Sequence, residues 1–196
     1  MDRVRIYLTG VGGQGTLTAT TLLSRTALEQ GIEVVSGEIH GMAQRGGVVE
    51  STILLGGFAS PRISLGEADI LLGFEPMETL RALPYLRQGG YVFSSLDPLQ
   101  PVSVSAGAET YPDLAKIRQT VGGVASQVWF LPCRELGLQA GSVQSGNTCL
   151  LGAVCAAGLL PFGVEALRGG IEKFMPPKLI DVNLRALELG AQAIQK

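Results

Sequence analysis

Six residues near the start of the chain, Gly10-Val11-Gly12-Gly13-Gln14-Gly15, restrict its fold more than any other feature. They follow an alternating apolar run (Val4, Ile6, Leu8) that reads as a strand over about Arg3 to Thr9. They precede a helical pattern, roughly Thr16 to Gln30, with Leu17, Thr20, Ser24 and Ala27 on one face and Gly31 as a stop. A glycine-rich turn from strand into helix opens a βαβ unit, and such units require a sheet with helices on its faces.

The rest of the chain continues the alternation. Strands are predicted at Glu33–Ser36, Val48–Leu55, Asp69–Phe74, Tyr91–Ser95 and Gln127–Leu131, with a short one near Arg62–Ser64. Gly37–Gly47 reads as a polar loop, and Gly89-Gly90 as a break. Helical patterns cover Met77–Leu83, Thr148–Leu160 and Val164–Phe174. Another helix carries Tyr111, Leu114, Ile117 and Val121, with Pro112 and Asp113 in its first turn. A last one follows Pro176-Pro177, capped by Asp181 and carrying Leu184, Leu187, Ala191 and Ile194. Apolar residues make up 46% and charged ones 16%, as elements buried on both faces need. No repeat or linker divides the chain. The expectation is one α/β domain over 1–196, a three-layer α/β/α sandwich around a Rossmann-like, open, mostly parallel sheet.

Charge and cysteine usage narrow the function. Fifteen Lys and Arg against 17 Asp and Glu give a net charge of −2, and the basic residues are scattered, which argues against nucleic-acid or membrane-surface binding. The longest apolar stretch, Cys149 to Phe162, is short and glycine-interrupted, so no span is expected, and the chain opens on a strand instead of a signal peptide. Cys133, Cys149 and Cys155 form no C-x-x-C pair, and His40 is the single histidine. A metal or iron–sulfur site held by this chain alone is therefore not expected. The odd cysteine count favours a reducing compartment, and a cytoplasmic location follows.

Chemistry can gather at three places. Gly10, Gly12, Gly13, Gln14 and Gly15 set free amides at a helix N-terminus, where a phosphate or other anion is favoured, although the same glycines also let the helix pack close to its strand. Glu38 stands where a ribose-binding carboxylate would, but it opens the run Glu38-Ile39-His40-Gly41-Met42-Ala43-Gln44-Arg45-Gly46-Gly47, which no ribose loop needs. His40, Gln44, Arg45 and Gly46 are ligand or interface candidates there; the plain alternatives are a loop histidine and an arginine paired with Glu38 or Glu50. Glu75 ends an apolar strand, where ligands of open α/β sheets bind, or else complements the helix that follows. Asn147 is a helix cap that could also reach that rim. The chain has no nucleophile elbow, no Walker lysine and no Cys–His pair, so it needs a partner for catalysis.

The glycine turn followed by residues 38–47 is similar to the gamma-type module of the 2-oxoacid:ferredoxin oxidoreductases. His-Gly-Met-Ala-Gln-Arg-Gly-Gly resembles the indolepyruvate branch of that family in particular, where this module is the small subunit, and Ala68 to Pro76 extends the likeness. The resemblance implies a complex that oxidatively decarboxylates indolepyruvate or other arylpyruvates with coenzyme A and reduces ferredoxin. Thiamine diphosphate and iron–sulfur clusters then belong to a large partner subunit. On this chain, Gly12 to Gly15 would meet a coenzyme A phosphate or the partner's backbone, and His40, Gln44 and Arg45 would face the shared cleft. Two rival readings remain: an NAD(P)-dependent Rossmann oxidoreductase, and a non-catalytic scaffold. Without its partner the chain could form a homodimer through an exposed apolar patch.

Overall fold

In the computed structural model, which describes residues 3–40, 47–100 and 102–195 and only the backbone of Ile39 and His40, the first strand, β1 (Val4–Val11), runs into the glycine turn and α1 (Thr16–Glu29). Strands β2 (Val34–His40), β3 (Val48–Leu55), β4 (Ala68–Gly73), β5 (Leu86–Ser95) and β6 (Gln127–Leu131) complete one sheet in the order β2-β3-β1-β4-β5-β6. β1, β4, β5 and β6 are mutually parallel, while β3 runs antiparallel to both of its neighbours, β1 and β2. The α/β fold and mostly parallel sheet expected from the sequence are therefore present, with one reversed strand.

Two faces of helix cover the sheet. On one side α1, α6 (Gly146–Ala156), α7 (Val164–Phe174) and α8 (Pro177–Ala193) bury Ile6, Leu8, Ile53, Ile70, Leu72 and Phe93. On the other, α2 (Pro76–Ala82) and α4 (Leu114–Gly122) pack over Tyr7, Leu54, Leu71 and Val92. The alternation along β1 explains the split: Ile6 and Leu8 go to the first core, Tyr7 to the second. Two short helices, α3 (Val102–Ser105) and α5 (Cys133–Ala140), complete the chain.

Several elements differ from the sequence reading. β2 continues through Gly37 and Glu38 to His40, because its pairing with β3 extends to His40 opposite Val49. Gly89-Gly90 does not break the chain: β5 passes through it with an irregular register against β4, and a Cβ on Gly90 would meet Leu86 and the Asp69 carbonyl. Residues 62–64 form no strand. Leu17 is 37% exposed while Thr16, Thr20, Ser24 and Ala27 are buried, so Leu17 lies off the inner face of α1, which begins at Thr16. α8 starts at Pro177, which suits the first helical position, and Asp181 lies inside the helix instead of capping it. α5 was missed. No described helix is long and apolar enough to cross a membrane.

Candidate functional site

The glycine turn is braced by its own chain. Gln14 Oε1 accepts from the Val11 amide (2.7 Å) and Gln14 Nε2 donates to the Phe74 carbonyl (3.0 Å), tying the turn to the end of β4. The Gly12 amide donates to the Gly47 carbonyl (2.8 Å), which ties the residue before β3 to the turn. Gly13 and Gly15 have φ of +101° and +82°, values that side chains other than glycine rarely accept. Gly10 is packed inside the strand end, where a Cβ would meet Thr16 Oγ1 at 3.0 Å and Phe74 Cβ at 3.1 Å.

Beside this turn lies a cavity of about 460 Å³ on the rim where the parallel strands end. Gly13, Gln14 and Gly15 line it, as do Ser95 at the end of β5 and Asp97 and Leu99 just beyond. The starts of α5 and α6 contribute Cys133, Arg134, Ser145 and Asn147, and α8 closes the floor with Leu179, Val182 and Asn183. Three helix N-termini, of α1, α5 and α6, thus border one space; the N-cap residues of α1 and α6 give no side-chain cap, while the Arg134 amide at the start of α5 donates to Asp97 Oδ2 (2.7 Å). The partial positive charge of α1 and α6 and the Arg134 side chain are set against the Asp97 carboxylate, and Phe74, Leu150, Met175 and Leu179 add apolar surface to the lining. Such a cavity suits an elongated ligand with an anionic end and a hydrocarbon body.

A polar chain crosses the floor. Asn183 Nδ2 donates to the Leu179 carbonyl (2.8 Å) and its Oδ1 pairs with Thr148 Oγ1 (2.5 Å), whose neighbour Asn147 reaches the glycine turn. A Cβ on Gly15 would lie 2.4 Å from Asn147 Nδ2, so the missing side chain is what admits the amide. Asn147 stands one residue past the start of α6, not at the cap, which is Ser145.

The structure separates the residues singled out from sequence. Gly13, Gln14 and Gly15 line the cavity; Gly10 and Gly12 lie behind it. Glu75 is fully buried and caps α2: its Oε2 accepts from the Glu78 amide (2.9 Å), and its Oε1 accepts from the Tyr111 hydroxyl and the Leu99 amide. Burial pushes its pKa up, against the pull of those hydrogen bonds. Gln44, Arg45 and Gly46 lie outside the described residues, as does the His40 side chain; the backbone of His40 ends β2. Glu38 is exposed on β2, and β3 lies between β2 and β1. That insertion sets β2 two strand spacings, about 9–10 Å, from β1, away from the position a ribose-binding carboxylate takes next to a dinucleotide turn.

Arg134, Ser145 and Asn183 escaped the sequence reading. The signal for Arg134 was present: it follows directly on the carboxyl end of a strand, the place where open α/β sheets bind ligands. Among the described residues no group of three or more His, Cys, Asp or Glu side chains could hold a metal ion. Cys133, Cys149 and Cys155 are buried, and burial pushes the Cys149 and Cys155 thiols up to about 12 and that of Cys133 higher still.

The pyruvate ferredoxin/flavodoxin oxidoreductase family matches residues 5–193. The chain belongs to that family. This makes it part of an oxidoreductase, and its relatives include free-standing subunits and sections of longer chains. The indolepyruvate oxidoreductase subunit IorB of Thermococcus kodakarensis is 39% identical across 100% of this chain and 98% of its own length. IorB of Methanothermobacter thermautotrophicus is 38% identical, with 94% of each covered. Among solved structures, pyruvate oxidoreductase subunit PORC of Thermotoga maritima superposes with a TM-score of 0.71 over 98% of this chain and 97% of that one, at 23% identity. The oxidoreductase family therefore keeps this fold at low identity.

Proposed function

We propose that the chain is the small, gamma-type subunit of an indolepyruvate or arylpyruvate:ferredoxin oxidoreductase, working in the cytoplasm as one module bound to a larger subunit. The observation that carries this is the end-to-end likeness to IorB subunits, which covers 100% of this chain in the Thermococcus relative. The large subunit holds thiamine diphosphate and iron–sulfur clusters, which supply decarboxylation and electron transfer to ferredoxin. The burial of all three cysteines of this chain supports that division of labour.

This chain's contribution is to hold coenzyme A for the acyl transfer. The cavity supports the reading: Arg134 and the α1 and α6 N-termini suit a phosphate, and the apolar surface of the lining suits the pantetheine arm. Gly13, Gln14, Gly15 and Asn147 form the wall against which that ligand lies, and His40, Gln44 and Arg45 face the cleft shared with the large subunit. Leu99, Val143 and Leu179, exposed at the cavity mouth, give that subunit an apolar footing and would pair copies of a chain left alone.

The test is anaerobic purification of the chain with whatever accompanies it, followed by arylpyruvate- and coenzyme A-dependent ferredoxin reduction. A large thiamine-dependent iron–sulfur partner and aryl-acetyl-CoA product are expected; an active protein isolated alone would overturn the proposal. In the complex, Arg134→Ala should raise KM for coenzyme A about tenfold, the loss of one charge-assisted hydrogen bond, and unchanged KM would remove Arg134 from the site.

A further inference from the structure

One wall of the cavity is unlike the others. Asp97, Pro98 and Leu99 line it, yet they belong to no strand or helix of the sheet's two layers. They begin a strap that leaves β5, includes the four-residue α3 and returns to α4 at Leu114. Apart from Pro101, which lies outside the described residues, residues 98–110 are exposed or half-buried, and Leu99 and Val102 are 46% and 53% exposed. Hydrocarbon burial therefore contributes little to holding the strap.

Hydrogen bonds hold it instead, and they converge on α2. Glu75 Oε1 accepts from the Leu99 amide (3.3 Å) near the beginning of the strap and from the Tyr111 hydroxyl near its end. Near the other end of α2, Arg81 donates to Ser103 Oγ (3.2 Å) and to the Glu109 carboxylate. At the other end of the wall, Asp97 Oδ2 accepts from the Arg134 amide at 2.7 Å. Glu75 is 0% exposed, so its hydrogen bonds act without competition from water, and the Tyr111 bond to a charged acceptor is of the stronger kind.

We infer that Glu75 is the positioning residue of the cavity's strap wall: its buried carboxylate latches Leu99 and Tyr111 together and so fixes the width of the cavity without touching the ligand. The inference rests on the cavity being the binding site proposed above. It gives the burial of an acidic group a purpose that α2 capping does not require, since an exposed Ser or Asp would cap as well. The Leu99 wall can then yield when the latch opens, while the α6 and α8 walls stay fixed.

The test uses the assembled complex carrying Tyr111→Phe, with Glu75→Gln and Glu75→Ala beside it. Hydrogen exchange over residues 97–111 is followed together with initial rates against coenzyme A. Tyr111→Phe keeps the α2 cap, so the fold should survive even if Glu75→Ala does not. It should speed exchange in the strap about tenfold, the opening expected from one lost hydrogen bond, and raise KM for coenzyme A severalfold with kcat little changed. Glu75→Gln keeps one acceptor oxygen for the strap and should fall between wild type and Tyr111→Phe. Unchanged exchange in the strap would overturn the latch. Faster exchange with unchanged KM would overturn the claim that the latch sets the cavity's width, and an unchanged KM in Arg134→Ala as well would overturn coenzyme A as the ligand of this cavity.

Discussion

The two faces of the sheet are held by different physics. Behind α6 and α8 the packing is backbone on backbone. A Cβ on Gly190 would lie 1.9 Å from the Cys149 carbonyl oxygen, and one on Gly152 would lie 2.2 Å from that of Leu187. Fully buried Leu and Ile side chains there stabilise by about 1.5–3 kcal/mol each, several times more than an exposed pair such as Lys173–Glu29. Beneath α2 the face also buries Ile117 and Val121, but beside them it encloses Glu75, Glu78 and Thr79, each 0% exposed. Among the described residues, Arg81 meets one oxygen of Glu78 and the other has no hydrogen-bond partner. One face is thus indifferent to pH and hard to deform; the other depends on charge and hydrogen bonds. The cavity sits where they meet, with fixed walls on one side and a latched one on the other.

The largest test of that contrast is Gly190→Ala. The added methyl cannot fit without separating α6 from α8, and the loss should reach about 3 kcal/mol, the upper end for overpacking. Urea denaturation measures it; a loss below 1 kcal/mol would mean that the α6–α8 face is softer than its geometry indicates.

Glu78 provides the second. Its pKa is raised to about 7 by burial first, opposed by Arg81 and reinforced by Glu75. An acid whose folded pKa lies above its unfolded value favours the folded state below the unfolded pKa. That contribution declines as pH rises through about 4.5 to 7. The chain should therefore lose up to about 3 kcal/mol between pH 4.5 and 8 on this account, and Glu75, shifted in the same direction, adds to the decline. Glu78→Gln should remove much of the slope. Equal slopes in denaturant titrations of variant and wild type would deny that this buried charge sets the behaviour of the α2 face.

Gly15→Ala is the mildest. The substitution puts a side chain at a φ of +82° and against Asn147, and should cost about 1–2 kcal/mol. Adding Asn147→Gly should return the part due to contact and leave the backbone part. A double-mutant cycle with no coupling would show that the turn and α6 do not meet as described.

Much of the fold was legible because its signals are local. β3, β6 and α7 fall on their predicted residues, since Val48–Leu55 and Gln127–Leu131 are short β-branched or aromatic runs and Val164–Phe174 carries a helical period, each bounded by turn residues. The glycine turn was legible for the same reason, and Gly13, Gln14 and Gly15 do border the cavity. α5 was not, because its eight residues, Cys133–Ala140, with Gly137 among them, are too few for a helical period to stand out. Packing requires that glycine: a Cβ there would lie 2.8–2.9 Å from Ser142 O, Gly146 N and Val143 O. With α5 unseen, Arg134 at its start was unseen as well.

The sequence by itself determined the strand–helix alternation, the glycine turn and the family, because each is written in consecutive residues. Tertiary structure alone decided that β3 reverses between β1 and β2, that Asn147 reaches Gly15 across 132 positions, and that Glu75 turns inward to the strap. A local pattern cannot choose among strand neighbours. That choice follows from which faces must be covered and which hydrogen bonds must be made, and both depend on residues far apart in the chain.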